Sequence, residues 1–142
     1  MQAPDVWDNI PSSQRKNKRY LARWKVALVF DNATTKPIFQ TLTHDLSMTG
    51  ISVQYHSNEK LDTVLTLLLA PPPIDNIRQR IIKLKAQLIS SVPFRGGFRL
   101  GLSFIQDAEL DKLRGSIGKY VMSDDDSLSS YPEGEDFPKL NI

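Results

Sequence analysis

Short strand-like segments separated by turn residues fill most of this chain and restrict the folds open to it. Six segments have the apolar–polar alternation, or the β-branched and aromatic content, that is typical of strands: 24–30, 38–46, 50–55, 64–69, 80–90 and 98–105. Asp31-Asn32, three prolines after residue 70, and Arg95-Gly96-Gly97 supply turn chemistry between them. The pattern predicts a small antiparallel barrel or sandwich, although a helix remains possible for 80–90.

The end of the patterned region follows a different period. Leu110, Leu113 and Ile117 recur at three- and four-residue spacing, which predicts an amphipathic helix over 107–121. Gly115 and Gly118 lower the intrinsic stability of that helix by about 1 kcal/mol each. A single helix is therefore expected after the strands.

The length of 142 residues leaves room for one domain with a short tail at either end. We expect a flexible N-terminal lead-in over 1–13, a folded domain over 14–122, and an acidic, disordered tail over 123–142 that has little to bury. No apolar run is long enough to span a bilayer, and the first residues lack the pattern of a signal peptide. Together with the absence of cysteine, this predicts a cytoplasmic protein without membrane insertion.

Charge is distributed unevenly along the chain. The stretch from Gln14 to Lys25 contains six basic residues and no acidic one, whereas the last twenty residues contain six acidic residues and one lysine. A basic cluster of this density suits an anionic partner such as a nucleotide, a nucleic acid, an acidic protein or a membrane surface. The alternative interpretation is a solvated N-terminal arm without a partner.

No enzyme signature emerges from the sequence. His44 and Asp45, with Ser47 nearby, have the residue types of a hydrolase triad, but neighbouring strand residues point to opposite faces and cannot orient one another. Two histidines and no cysteine leave little material for a metal site. We therefore expect a protein that is not an enzyme and has neither a metal nor a cofactor.

Two short motifs remain, and each is weak alone. Arg15 and Arg19 form an R-x-x-x-R motif before the first predicted strand, and Asp45, Ser47 and Gly50 form a D-x-S-x-x-G motif between two strands. The first spacing recurs at Arg19–Arg23 and at Arg95–Arg99. The second motif also suits a turn whose side chains cap their own backbone, with Gly50 at a positive φ. That interpretation and a binding role can both hold.

In this order, and in an all-β chain, the two motifs resemble those of the PilZ domain of bacterial cyclic di-GMP receptors. The resemblance runs from about Gln14 to Val121 and includes the segments RYLARWKVALVF, DLSMTGISV and GFRLGLSF. It implies an all-β fold, a six-stranded antiparallel PilZ-type barrel with a C-terminal helix. It also implies a cyclic di-GMP site whose members are listed by motif: Arg15 and Arg19, then Asp45, Ser47 and Gly50. The alternative arginine register is Arg19 with Arg23.

The chemistry of the ligand suits these residue types. A guanidinium can fork onto guanine O6 and N7, stack on a base or pair with a phosphate, and a carboxylate can accept from the guanine N1–H edge. We expect Arg19 and Asp45 at or near the surface, where alanine substitution would weaken binding at least about tenfold and leave the fold intact. Because its basic residues repel one another, Ser12 to Arg19 is expected to be mobile until ligand orders it.

The resulting hypothesis is a cyclic di-GMP receptor or adaptor that signals to an unidentified downstream protein when its N-terminal arginine loop becomes ordered. Gln14 replaces an additional arginine found in some relatives, which favours one messenger per protomer. One alternative is a PilZ-fold adaptor that binds a protein without nucleotide. Another is a small barrel that binds single-stranded nucleic acid, which we do not expect because Phe39, Tyr55, Phe98 and Phe104 are placed in the core by their alternation.

Overall fold

The structure, a computed structural model, describes residues 18–29, 38–57, 60–73, 81–122 and 126–131. In that part of the chain, seven strands precede one α-helix and a short 3₁₀ helix. The strands are β1 (Arg19–Leu21), β2 (Lys25–Val29), β3 (Ile38–Ser47), β4 (Gly50–Tyr55), β5 (Val64–Ala70), β6 (Ile82–Phe94) and β7 (Gly97–Phe104). The α-helix is α1 (Ala108–Ser116), and the 3₁₀ helix is Ile117–Tyr120.

Six of the described strands close into an antiparallel barrel. Their order is β3-β2-β5-β6-β7-β4, and β4 pairs back with β3 to complete the circle. This confirms the predicted all-β barrel followed by a helix, and each predicted segment overlaps one of these strands. A closed barrel leaves no open sheet edge among these six strands, so their backbone groups pair within the fold.

β1 is an additional strand that the sequence pattern did not predict. Asp45 pairs with Leu21 on one side and with Ser52 on the other, so β1 and β4 lie on opposite edges of β3. β2 pairs with the earlier part of β3, and the Thr43 amide donates to the Trp24 carbonyl between the two strands. The chain from Arg19 to Val29 therefore follows a single edge of β3.

The barrel interior is filled by the inward side chains of the strands and closed by the helix. The largest fully buried side chains are Trp24, Leu28, Leu46, Ile51, Leu65, Leu67, Leu69, Leu84, Leu100, Leu102, Leu110 and Leu113. The Asp107 carboxylate caps α1 by accepting from the Leu110 amide at 2.9 Å. The α-helix ends earlier than predicted and continues as the 3₁₀ turn that buries Ile117 and Tyr120, consistent with the low helix propensity of Gly115 and Gly118.

The predicted turn between β6 and β7 is confirmed, and it contains a residue other than glycine at a positive φ. Arg95 has a φ of 49° and Gly96 a φ of 77°, the signs required at the two central residues of a type I′ hairpin turn. At the next position, a Cβ on Gly97 would lie 2.4 Å from the Tyr55 carbonyl oxygen. That close backbone approach explains the glycine at the start of β7.

The hairpin of β6 and β7 extends past its neighbour β5. β5 pairs with β6 only as far as Gln87, whereas β7 pairs with β6 up to Phe94. Phe98 lies in this extension and is 42% exposed, so the prediction that it fills the core is wrong. Phe39 and Phe104 pack against the core and Tyr55 is buried in it, as predicted.

The prediction of an acidic tail with little to bury needs correction for residues 126–131. Leu128 is 2% exposed and belongs to the core, and Tyr131 is also buried, with its hydroxyl donating to the Pro71 carbonyl at 3.0 Å. The Leu21 amide donates to the Asp126 carbonyl, and the Leu128 amide donates to the Leu21 carbonyl. Residues 126–131 are therefore held to the barrel by the buried side chains of Leu128 and Tyr131 and by hydrogen bonds to the edge of β1 that does not face β3. Residues 1–17, 123–125 and 132–142 lie outside the described residues.

Candidate functional site

A β-bulge in β3 decides which side chains face outward. Phe39 and Thr41 lie opposite the core residues Leu28 and Val26, and unbroken alternation would then put Asp45 inside and Leu46 outside. The pairing of β3 with β4 shifts register between Thr43 and Asp45, which makes His44 the extra residue. After the bulge, Leu46 enters the core and Asp45 lies on the outer face of the barrel.

Two guanidinium groups from distant parts of the chain converge on Asp45. Arg19 in β1 donates from Nη2 to Asp45 Oδ2 at 2.5 Å, and Arg99 in β7 donates from Nη2 to the same oxygen at 2.9 Å. Arg99 also donates from Nε to the Ser52 hydroxyl at 3.2 Å. These four residues are called the arginine–aspartate cluster below. Among these four residues, two cations meet one anion, so the cluster itself has a net positive charge.

The cluster is more buried than the sequence suggested. The side chains of Arg19 and Asp45 are 6% and 7% exposed, and that of Arg99 is 16% exposed. The expectation of surface positions for Arg19 and Asp45 is therefore wrong, because each shields the other and Arg99 covers the same carboxylate. Arg19 also belongs to β1, so the expected mobile segment does not extend to it. Residues 12–17, and Arg15 with them, lie outside the described residues.

Asp45 keeps one oxygen without a hydrogen-bond donor. Within the described part of the chain, Oδ1 of Asp45 is buried and accepts no hydrogen bond. A buried acceptor without a donor costs about 1–3 kcal/mol relative to a satisfied one. A ligand that brings an N–H group to this oxygen would recover that free energy.

The second motif forms a turn that Ser47 organises. The Ser47 hydroxyl accepts from the Thr49 amide at 3.2 Å and from the Gly50 amide at 3.1 Å, and Ser47 is 1% exposed. The capping interpretation of this motif is thus correct for Ser47. Gly50 begins β4, pairs with Ser103, and is not among the residues with positive φ, which in the described ranges are Arg95 and Gly96. The expected positive φ at Gly50 is wrong.

The structure brings Arg19, Asp45, Ser47 and Gly50 together around one turn. Arg19 pairs with Ser47 across β1 and β3, so its side chain lies beside the turn as well as beside Asp45. Arg23 lies between β1 and β2, where its backbone amide and carbonyl bond to Ser130 and Tyr131. Arg19 belongs to both of the arginine registers weighed from the sequence, and it donates to Asp45.

Arg99 was not predicted as a site residue. It lies 54 residues from Asp45 in sequence, and the only sequence signal is its four-residue spacing from Arg95, which repeats the R-x-x-x-R motif. The closed barrel places β7 beside β4. Arg99 therefore lies opposite Gln54 and next to Ser52. Long-range strand pairing, rather than local pattern, therefore completes the cluster.

His44 completes a small group beside the cluster. Its Nε2 lies 3.3 Å from Gln54 Oε1, and its ring meets the Phe94 ring edge-on at 5.0 Å between centroids. Burial lowers the pKa of His44 from its ordinary value; the hydrogen bond with Gln54 opposes the shift and the positive charge of Arg99 adds to it. The imidazole is therefore positioned by Gln54 and Phe94 instead of by Asp45.

Comparison with known proteins identifies the fold. No protein-family model matches the sequence, and no curated protein matches it. Among solved structures, the PilZ domain of YcgR from Escherichia coli with c-di-GMP aligns at a TM-score of 0.54 and 15% identity, over 75% of this chain and 90% of that one. The chain has the fold of a PilZ domain.

A second solved structure with a similar fold belongs to a longer chain. The inhibitor of motility MotI/DgrA from Bacillus subtilis aligns at a TM-score of 0.58 and 18% identity, over 71% of this chain. The aligned part spans 47% of the MotI chain, so this protein corresponds to about half of it. The structural alignments establish the shared PilZ fold, and at these sequence identities they show the fold alone. In the described ranges, no helix of the PilZ fold is long and apolar enough to cross a bilayer.

Proposed function

We propose that this PilZ-fold protein is a cyclic di-GMP-binding receptor or adaptor and has no catalytic role. The observation that carries the proposal is the arginine–aspartate cluster, in which Arg19 and Asp45 from the two motifs meet 2.5 Å apart beside the Ser47 turn. The YcgR domain that shares the fold is described with c-di-GMP. Fold and motif placement together favour a nucleotide ligand on the outer face of the barrel.

The chemistry of the cluster suits a dinucleotide with two phosphates and two guanines. The net positive charge of these four residues favours the phosphates, and the planar fork of a guanidinium matches the acceptors of a phosphate or a guanine. The buried Oδ1 of Asp45 could accept from a guanine N1–H or amino group. Charge-assisted hydrogen bonds contribute about 1.5–3 kcal/mol each. We assign the ligand contacts to Arg15, Arg19, Asp45, Ser47, Gly50 and, from the geometry, Arg99.

The signal we propose is the ordering of the N-terminal arm. Arg19 is anchored in β1 by its pairing with Ser47 and its ion pair with Asp45, so an arm that carries Arg15 would close from this fixed point. Messenger phosphates would offset the repulsion among the basic residues that precede β1. A downstream protein, not identified by the sequence, would recognise the closed arm in a cytoplasmic setting.

Two alternative functions fit the residues less well. A PilZ-fold adaptor without nucleotide has no need for two arginines on a buried aspartate. A barrel that binds single-stranded nucleic acid requires aromatic side chains exposed on a sheet face for base stacking. In the described part of the chain, Phe98 is the only aromatic among the exposed large apolar residues.

Equilibrium titration separates these functions. We expect the protein to bind cyclic di-GMP with micromolar affinity or better, about −8 kcal/mol, at one messenger per protomer, and not to bind GTP or a single-stranded oligonucleotide in the same range. Arg19→Ala should weaken binding at least about tenfold, whereas Lys119→Ala, which removes a charge from the exposed side of the 3₁₀ helix, should leave affinity unchanged. Tight binding of the oligonucleotide, or equal affinity in Arg19→Ala, would contradict the proposal.

A further inference from the structure

The turn between β6 and β7 contains an arginine where other residues fit better. Arg95 occupies the first central position of the type I′ turn at a φ of 49°, a conformation in which asparagine and glycine are favoured. A side chain kept in this region despite a local conformational cost points to a use for that side chain. Phe94, Arg95 and Gly96 are called the hairpin tip below.

The guanidinium of Arg95 lies over an aromatic ring. Its Cζ is 5.0 Å from the centroid of Phe94, and the Cζ of Arg99 is 5.9 Å from the same centroid. The Phe94 ring also contacts the His44 ring edge-on, and the Phe94 carbonyl accepts from Gln54 Nε2 at 3.1 Å. Phe94 is therefore a positioned platform and Arg95 is the exposed group on it.

The hairpin tip continues the arginine–aspartate cluster. Arg99 joins the two, because its guanidinium donates to Asp45 and also lies near the Phe94 ring. Arg95 forms no ion pair within the described residues, and its positive charge contributes to lowering the pKa of His44, after burial and the charge of Arg99. A line of contacts therefore runs from Arg19 through Asp45, Arg99 and Phe94 to Arg95, and its far end is cationic, planar and exposed.

We infer that the hairpin tip is a subsite for one guanine base of the messenger, an inference that rests on the proposed function. A planar base can stack on the Phe94 ring or on the Arg95 guanidinium, and the Arg95 fork matches the O6 and N7 acceptors of guanine. The messenger then lies across the outer face, with its phosphates near the arginine–aspartate cluster. Arg95 contributes to affinity and to the preference for guanine over other bases.

Substitution at Arg95 tests the subsite without disturbing the turn. Asparagine accepts a positive φ, so Arg95→Asn removes the guanidinium and keeps the type I′ conformation. We expect Arg95→Asn to weaken cyclic di-GMP binding about tenfold, and Arg95→Lys to weaken it nearly as much because an ammonium neither stacks nor forks. Lys83→Asn removes one positive charge from an exposed position on β6 and should leave affinity within about twofold.

A second ligand distinguishes base recognition from simple charge attraction. The same variants are titrated with a cyclic dinucleotide that has uracil in place of guanine and keeps both phosphates. The loss in Arg95→Asn should be confined to the guanine ligand; an equal loss with both ligands, or full affinity in Arg95→Lys, assigns Arg95 to the phosphates and overturns the subsite. If wild type binds cyclic di-GMP and Arg95→Asn binds it equally, the subsite alone is wrong. If wild type does not bind it at all, the proposed function is wrong as well.

Discussion

Asp45→Ala is expected to destabilise the protein by about 3–5 kcal/mol, because it leaves two largely buried guanidinium groups without their carboxylate. Arg19 and Arg99 both donate to Asp45 Oδ2, and their side chains are 6% and 16% exposed. Removing one partner of a buried ion pair costs more than the pair contributes, since the remaining charges stay in a poorly solvated position. Urea denaturation followed by circular dichroism measures the change in the free energy of unfolding.

An exposed ion pair on α1 provides the matched control. Glu109→Gln removes a carboxylate that lies 2.9 Å from Lys112 but is 41% exposed, and it should change the free energy of unfolding by no more than about 0.5 kcal/mol. A loss below about 1 kcal/mol in Asp45→Ala would mean that the two guanidinium groups do not depend on this carboxylate, and would contradict the cluster as a buried unit. The expectation from sequence that the fold persists in this variant stays a prediction, and the same denaturation curve tests it.

Trp24→Ala is expected to destabilise the protein by about 3–5 kcal/mol. Trp24 is fully buried, and its ring meets the Tyr120 ring edge-on at 5.1 Å between centroids. Its indole Nε1 donates to the Ser129 carbonyl at 2.8 Å, so the same residue links the core, the 3₁₀ helix and the segment that follows it. Removing the ring therefore opens a large cavity and also releases one attachment of residues 126–131.

Trp24→Phe separates these two contributions in the same denaturation experiment. Phenylalanine keeps an aromatic ring in the core but lacks the donor, which should cost about 1–2 kcal/mol through the smaller ring and the unpaired Ser129 carbonyl. A loss in Trp24→Phe as large as that in Trp24→Ala would assign most of the effect to the hydrogen bond. No loss in either variant would contradict the buried position of Trp24.

The barrel could be predicted because its strands carry local signals. Alternation from Ile38 onward, the β-branched run before Asp31 and the turn at Arg95-Gly96 each reflect a side chain or dihedral requirement of one short segment. Six such strands can close into a barrel, because closure gives the backbone groups on both edges of every strand a hydrogen-bonding partner. The predicted helix was likewise visible in the spacing of Leu110, Leu113 and Ile117.

The features missed from sequence all depend on contacts between distant segments. The three residues of β1 are too short to show alternation and form a strand because β3 and residues 126–128 offer hydrogen bonds on either side. No pattern in the sequence indicates the β-bulge at His44, yet this bulge moves Asp45 to the outer face of the barrel. Arg99 reaches Asp45 only through the pairing of β4 with β7. Burial of Arg19 and Asp45 follows from these same contacts.

Amide hydrogen exchange with and without saturating cyclic di-GMP tests most directly whether the messenger closes the arginine arm over the Ser47 turn. The proposed mechanism predicts that protection rises across residues 12–18 and 45–50 on binding, while β5, which pairs with β2 and β6 and with no strand of the cluster, keeps its exchange rates. Repeating the measurement with Arg19→Ala should abolish the rise. Protection of residues 12–18 that is already high without ligand, or that does not change when ligand saturates the protein, would contradict the mechanism.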